Sequence, residues 1–273
     1  MPFRLITTKM FIAAFSAIVL FASCKKDKDN DGPAPVPEKK ITAVRQDQDN
    51  YLEFVYAADG TLTRVKFAEE ETPGVQTMDI TYGTNKRIKS ILLNDGFVVE
   101  YIYENDRLAQ TQTLSGTGHI VTSGAYFYQN GNLVDYGQFL PFPLEDGSDG
   151  ILYKRVNEST YVYNSDRSIR SITNRMRNPI TDKMEPAGKR IYDAYDGKIN
   201  PLRSLGDFAY GFLQELNPSN ITKETAYDET GAIEEVIERT YTYDNHGYPL
   251  TCVEKSTVPG ENPVIKTLTF TYK

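Results

Sequence analysis

Polar and apolar positions alternate along most of this chain with a period of two. The last segment shows it best: Leu268, Phe270 and Tyr272 alternate with Thr267, Thr269 and Thr271. Residues two apart on a strand share a face, so this is a strand with one apolar side. Val99, Tyr101 and Tyr103 repeat the pattern against Val98, Glu100 and Ile102.

The alternation is organised into a recurring unit: an apolar residue, any residue, Tyr, a short turn rich in Asp, Asn and Gly, then an aliphatic residue. It reads Phe54-Val-Tyr56, Ile80-Thr-Tyr82, Tyr101-Ile-Tyr103, Tyr126-Phe-Tyr128, Tyr161-Val-Tyr163, Tyr227-Asp228, Tyr241-Thr-Tyr243 and finally Phe270-Thr-Tyr272. Apart from one long interval between Tyr163 and Tyr227, the spacing averages about 25 residues, room for two strands and two turns. Asp or Asn opening the turn with Gly at its fourth position suits a type I turn closing a hairpin. Each unit therefore predicts one hairpin, and the series predicts an all-β, up-and-down antiparallel meander. Its apolar face has to be covered, so the sheet curls into a barrel or half-barrel.

One stretch departs from this period. Leu205, Phe208, Ala209, Phe212, Leu213 and Leu216 form a helical stripe between Ser204 and Asn217-Pro218, which predicts a short helical insertion near 204–217 packed on the apolar face. Phe139 to Leu144 and Asn178 to Gly188, interrupted by prolines, read as loops.

The amino terminus gives an address. Arg4 and Lys9 precede an uncharged run from Met10 to Ala22, too short to span a bilayer as a helix and fitting a secretory leader. Phe21-Ala22-Ser23-Cys24 resembles the lipobox of bacterial lipoproteins, with Phe21 where Leu is usual. The resemblance implies that residues 1–23 are a signal peptide and that Cys24 is lipidated and becomes the first mature residue, anchoring the chain to a bilayer. Residues 24–40, with Pro33, Pro35 and Pro37 among lysines and acids, form a flexible tether. Acidic residues directly after such a cysteine also resemble an export signal to the outer face of an outer membrane. Residues 41–273 remain as a single β domain.

Charge and composition narrow the chemistry. The net charge is −7; leader and tether are both basic on balance, so the domain is more acidic still and repels nucleic-acid phosphates and anionic lipid. With Cys24 acylated, Cys252 has no partner for a disulfide and reads as a small buried hydrophobe in a strand. His119 and His246 lie apart, which predicts neither a metal site nor a cofactor. Gly-x-Ser-x-Gly, His-Glu-x-x-His and phosphate-loop motifs do not occur. Glu145, Asp146 and Asp149 read as an acidic turn rather than a calcium loop. Nineteen tyrosines without tryptophan are mostly repeat core, while Tyr136, Tyr153 and Tyr210 lie outside the repeat and are freer to be exposed.

The best copy of the unit, Tyr241-Thr-Tyr243-Asp244-Asn-His-Gly247-Tyr-Pro-Leu250, resembles the tyrosine–aspartate repeats of Rhs-type proteins, though the domain is too short to enclose a cargo. A wider resemblance, carried by the lipobox, the degenerate hairpins, Tyr195-Asp196-Gly-Lys-Ile-Asn200-Pro201 and Asn217-Pro-Ser-Asn220, is to anchored bacterial lipoproteins of unknown function with a porin-like β fold. It implies that fold and a cell-surface position, and no activity. A membrane-spanning barrel is disfavoured because Ser168 to Arg175 is polar on both faces. The expected function is a non-catalytic binding or scaffold module at the outer membrane, with a glycan, a peptide or an envelope protein as partner. The alternatives are a carboxylate-pair hydrolase of polysaccharide and a purely structural envelope protein.

Overall fold

The computed structural model describes residues 39–46, 51–68, 74–144, 150–208 and 217–273. Cys24, the tether, the acidic turn at Glu145, Asp146 and Asp149, and Tyr210 lie outside them.

Sixteen antiparallel strands follow one another in the order of the sequence. The first eight are β1 (Ile41–Arg45), β2 (Tyr51–Tyr56), β3 (Leu62–Ala68), β4 (Gln76–Tyr82), β5 (Ile88–Leu93), β6 (Val98–Glu104), β7 (Arg107–Leu114) and β8 (Ile120–Gln129). The second eight are β9 (Asn132–Pro143), β10 (Ile151–Tyr163), β11 (Ile169–Arg177), β12 (Met184–Ile199), β13 (Ser219–Tyr227), β14 (Ile233–Tyr243), β15 (Pro249–Thr257) and β16 (Val264–Tyr272). β1 pairs with β16 through Val44 and Phe270, and the sheet closes into a barrel.

The repeat unit occupies the end of every even-numbered strand. The apolar residue and the tyrosine face inward: Phe54, Ile80, Tyr101, Tyr126 and Tyr161 are buried in one core cluster. The intervening residue faces out, as Phe127 and Val162 do. The aliphatic residue that opens each following strand is buried as well, including Leu62, Ile88, Leu108, Leu133 and Ile169. The aspartate-opened turns close as expected, whereas the β6–β7 and β8–β9 connections are two-residue turns with Asn105, Asp106, Asn130 and Gly131 all at positive φ. At Asp244–Gly247 the Asp244 carboxylate accepts from the N–H groups of His246 and Tyr248, both at 2.9 Å, and Gly247 takes φ +84°, which costs glycine nothing. A register shift precedes the tyrosine in these hairpins, for instance between Val55 and Tyr56 and between Val162 and Tyr163. The bulge re-aims the ring along the barrel wall.

Three expectations need correction. Tyr227 is not a repeat tyrosine: it ends β13 at the opposite end of the barrel. The missing copy is Tyr192 and Tyr195 on β12, three residues apart because the register shifts between them, so a period of two hides it. Phe139 to Pro143 is strand, not loop. Pro141 and Pro143 are tolerated because β8 pairs with β9 only as far as Phe139, leaving the proline nitrogens on an edge, while β10 pairs on the other side. Pro186 likewise lies in β12 opposite Arg175, beyond the start of pairing with β13 at Lys189. The long interval in the repeat thus comes from longer strands as well as from the insertion.

The outer face carries charge in mid-strand. Arg64 on β3 pairs with Asp79 on β4, and Glu238 on β14 lies 3.5 Å from Lys223 and 4.0 Å from Lys255 on the flanking strands. A membrane-spanning barrel needs an outward apolar band about 25 Å tall. β1, with five residues, rises only about 17 Å. With its large apolar cluster inside and ion pairs on its outer face, this barrel is built differently.

Candidate functional site

Sixteen strands enclose more space than wall side chains ordinarily fill. Here the connection between β12 and β13 helps to fill it. Asn200 begins the turn, its side-chain oxygen accepting from the Leu202 N–H at 3.0 Å, and Pro201 supplies the fixed φ of a first helical position. A single 3₁₀ turn, Pro201–Leu205, follows. Of the predicted helical stripe, Leu205 and Phe208 are buried in the core cluster; residues 209–216 lie outside the described part.

This plug is fastened on two sides. Asp207 accepts from Arg87 Nε and Nη2, at 2.9 and 2.8 Å, and from the Tyr103 hydroxyl at 3.1 Å. The Arg87 guanidinium also stacks over the Tyr103 ring, 4.2 Å from its centre. The hydrogen bonds it donates to Asp207 hold the guanidinium in its charged form, while burial and the neighbouring carboxylate push the Tyr103 hydroxyl well above its ordinary range. At the other end of the insertion, Asn217 is 1% exposed and its oxygen accepts from the Ile169 N–H at 2.7 Å and the Tyr195 hydroxyl at 3.1 Å.

Beside the plug lies a cavity of about 280 Å³. One wall is apolar, with Val44, Leu52, Leu268 and Phe270; the other presents Asn217, Asn220, Glu224, Arg190 and Arg239. The charges alternate across adjacent strands. Glu224 on β13 lies 3.9 Å from Arg190 on β12 and 3.0 Å from Arg239 on β14, and Arg239 reaches Glu254 on β15 at 2.8 Å. Burial disfavours charge on Arg239, yet Glu224 and Glu254 outweigh it and push its proton affinity up. The Asn217 side-chain nitrogen, equally buried, has no hydrogen-bond partner among the described residues.

The arrangement sets paired charges beside an apolar wall. A glycosidase needs one carboxyl kept protonated. Among the described residues, the one acid that lines the cavity, Glu224, is paired with Arg239 and Arg190. Wherever a described carboxyl is displaced from its ordinary titration, as at Asp166 and Asp228, it is displaced downward.

The residues singled out by sequence are scattered. His119 is exposed in the β7–β8 turn and His246 sits in the β14–β15 turn, at opposite ends. Cys252 is 1% exposed, opposite Tyr241, and burial pushes its thiol up to about 11. Tyr153 is exposed. Tyr136 is a correction: it faces inward, packed against Tyr126 with ring centres 5.0 Å apart, because its strand position pairs directly with Tyr126. The charged ladder was missed. The signal was present, since Arg190 precedes Tyr192 by two residues and Arg239 precedes Tyr241 by two, which puts both on the inward face.

No family model matches the sequence, and no curated protein matches it. Solved structures do. The barrel resembles a porin-like protein from Bacteroides uniformis, with a TM-score of 0.55 at 16% identity over 88% of this chain and 99% of that one. It also resembles a porin-like protein from Bacteroides vulgatus, with a TM-score of 0.53 at 12% identity over 86% and 99%. The fold is shared with these porin-like proteins. Both alignments run over nearly their whole lengths, so the likeness extends to the complete barrel.

Proposed function

We propose that this chain is an outer-membrane lipoprotein, held by acylated Cys24, whose barrel is a non-catalytic binding module. The observation that carries the binding reading is the cavity beside the plug. It joins an apolar wall to a wall of fixed charges and holds one buried amide donor, on Asn217, that is unmatched among the described residues. Such a site suits a small amphipathic group with a hydrogen-bond acceptor, of the size of a sugar ring or an amino-acid residue at the end of a glycan or peptide. The lipobox at Phe21 to Cys24 and the porin-like neighbours support the envelope address.

Two experiments test the two halves. For the anchor, the mature protein is expected to carry a diacylated or triacylated amino terminus by mass spectrometry, and Cys24→Ser to release it from membranes; an unmodified Cys24 contradicts the anchor. For the site, the melting temperature of the mature chain is measured against a panel of monosaccharides, disaccharides and dipeptides. A shift with one class, lost in Asn217→Leu, supports the reading. A panel without any shift, or a shift unaffected by Asn217→Leu, contradicts it.

A further inference from the structure

The two ends of the barrel are electrically unlike. Strand connections alternate between ends, so the topology assigns every turn of the sequence to one end or the other. One end holds the plug and the point where the chain enters: the Lys39 N–H donates to the Tyr248 hydroxyl at 3.1 Å, and Lys40 pairs with Lys273 in both directions. The described residues of the seven connections at this end carry five acids and four bases, and Lys39, Lys40 and Lys273 are added where the chain enters and leaves. The described residues of the eight connections at the opposite end carry five acids, Asp95, Asp182, Asp228, Glu229 and Glu261, and a single base, Lys183. Among the described residues, the connections away from the tether are therefore net acidic and those at the tether end, with the three lysines, are net basic.

An anionic bilayer repels the acidic end and tolerates or attracts the lysine-bearing one, within roughly 10 Å of the surface at ordinary salt. The tether alone does not fix the posture, because a segment of 17 residues (24–40) reaches about 55 Å when extended. Resting on the reading of the chain as lipid-anchored, we infer that the barrel stands on anionic lipid with the plug end facing the bilayer. The acidic end, and the Ile151, Leu152 and Tyr153 segment at its rim, then face outward.

The inference is tested separately from acylation by holding the mature chain, with an amino-terminal hexahistidine in place of the lipid, on vesicles containing nickel-chelating lipid and a lipid-linked quencher. A fluorophore is placed on Ser165→Cys at the plug end or on Thr117→Cys at the acidic end; both positions are exposed and Cys252 is buried. On phosphatidylglycerol vesicles, quenching at position 165 is expected to exceed quenching at 117 at least threefold. The difference should shrink on phosphatidylcholine, in 0.5 M salt, and in a Lys40→Glu, Lys86→Glu, Arg203→Glu variant. Equal quenching at both positions on phosphatidylglycerol, or a difference insensitive to salt and lipid charge, overturns it. Failure of the natural anchor shows instead in the mass of the amino terminus.

Discussion

Tyr163 on β10 donates its hydroxyl to the main-chain oxygen of Leu133 on β9, 2.8 Å away. Leu133 is the aliphatic residue of the preceding repeat unit, so this unit is latched to the one before it. Tyr56 holds Ile41, Tyr82 holds Leu62 and Tyr272 holds Pro249, all at 2.8 Å, and Tyr195 holds Ile169. Tyr103 leaves this belt to hold Asp207 of the plug. The tyrosine is retained at these positions because its ring fills the core while its hydroxyl satisfies a carbonyl left open beside a bulge. Tyr163→Phe is expected to cost about 1 kcal/mol, lowering the melting temperature by roughly 2–4 °C. The same change at Tyr153, exposed outside the belt, should leave it unchanged within error.

The belt makes the fold sensitive to alkali. Burial holds the hydroxyl of Tyr56 neutral up to about 12 against an ordinary 10.0, and burial also pushes Tyr101, Tyr126, Tyr241 and Tyr272 upward. A proton held more tightly by the folded state stabilises it fully below pH 10 and progressively less as pH rises toward 12. Tyrosinate absorbance is therefore expected to appear together with loss of the β circular-dichroism signal between pH 10 and 12. Absorbance rising smoothly near pH 10 with the fold intact would contradict the buried belt.

The charged ladder is expected to matter as a set. In Arg239→Met, Glu224, whose side chain is 4% exposed, loses its closest cation, a change that typically costs about 3–5 kcal/mol. Replacing the acid too, in Arg239→Met with Glu224→Leu, should recover much of the loss. Urea unfolding of the two variants and the parent measures the coupling.

A complementary effect is expected at low pH. Burial opposes charge on Asp244, but Lys39 and the N–H groups of Tyr248 and His246 hold its carboxyl down to about 2 from 3.8. Its contribution is present above about pH 4 and fades as pH falls toward 2. Asp244→Asn should be less stable than the parent at pH 6 and nearly equal to it at pH 2, by thermal melts in the two buffers.

Gly188 tests the corner of β12. Its φ is +106°, and an added methyl carbon would lie 2.7 Å from the main-chain oxygen of Tyr227. Gly188→Ala is expected to cost about 1–3 kcal/mol, whereas Gly96→Ala, also at positive φ but with nothing within 4 Å, meets only the backbone cost.

The meander was legible because an inward Tyr and its apolar partner stand two apart on seven of the even strands. That period is a direct print of strand geometry. It failed at Tyr192 and Tyr195, where a bulge inserts a residue, and Tyr227 was drafted in their place. The prolines at 141, 143 and 186 misled for a different reason. A proline forbids one hydrogen-bonded side of a strand, and only the pairing register shows that these lie where that side is empty. The site was less legible than the fold. Arg190, Glu224, Arg239 and Glu254 look like ordinary surface charges until the barrel closes, and the polarity of the two ends appears only when each turn has been assigned to one of them.

The central claim is that the apolar core lies inside the barrel while ion pairs stud its outer face, so that the barrel needs water rather than lipid around it. Residues 37–273 form one compact unit. Purified without detergent, this unit is expected to run as a folded, monodisperse species by size-exclusion chromatography with light scattering, with its β spectrum unchanged when detergent is added. Aggregation that only detergent relieves would mean that the outer face is the lipid-facing one, and would contradict the account.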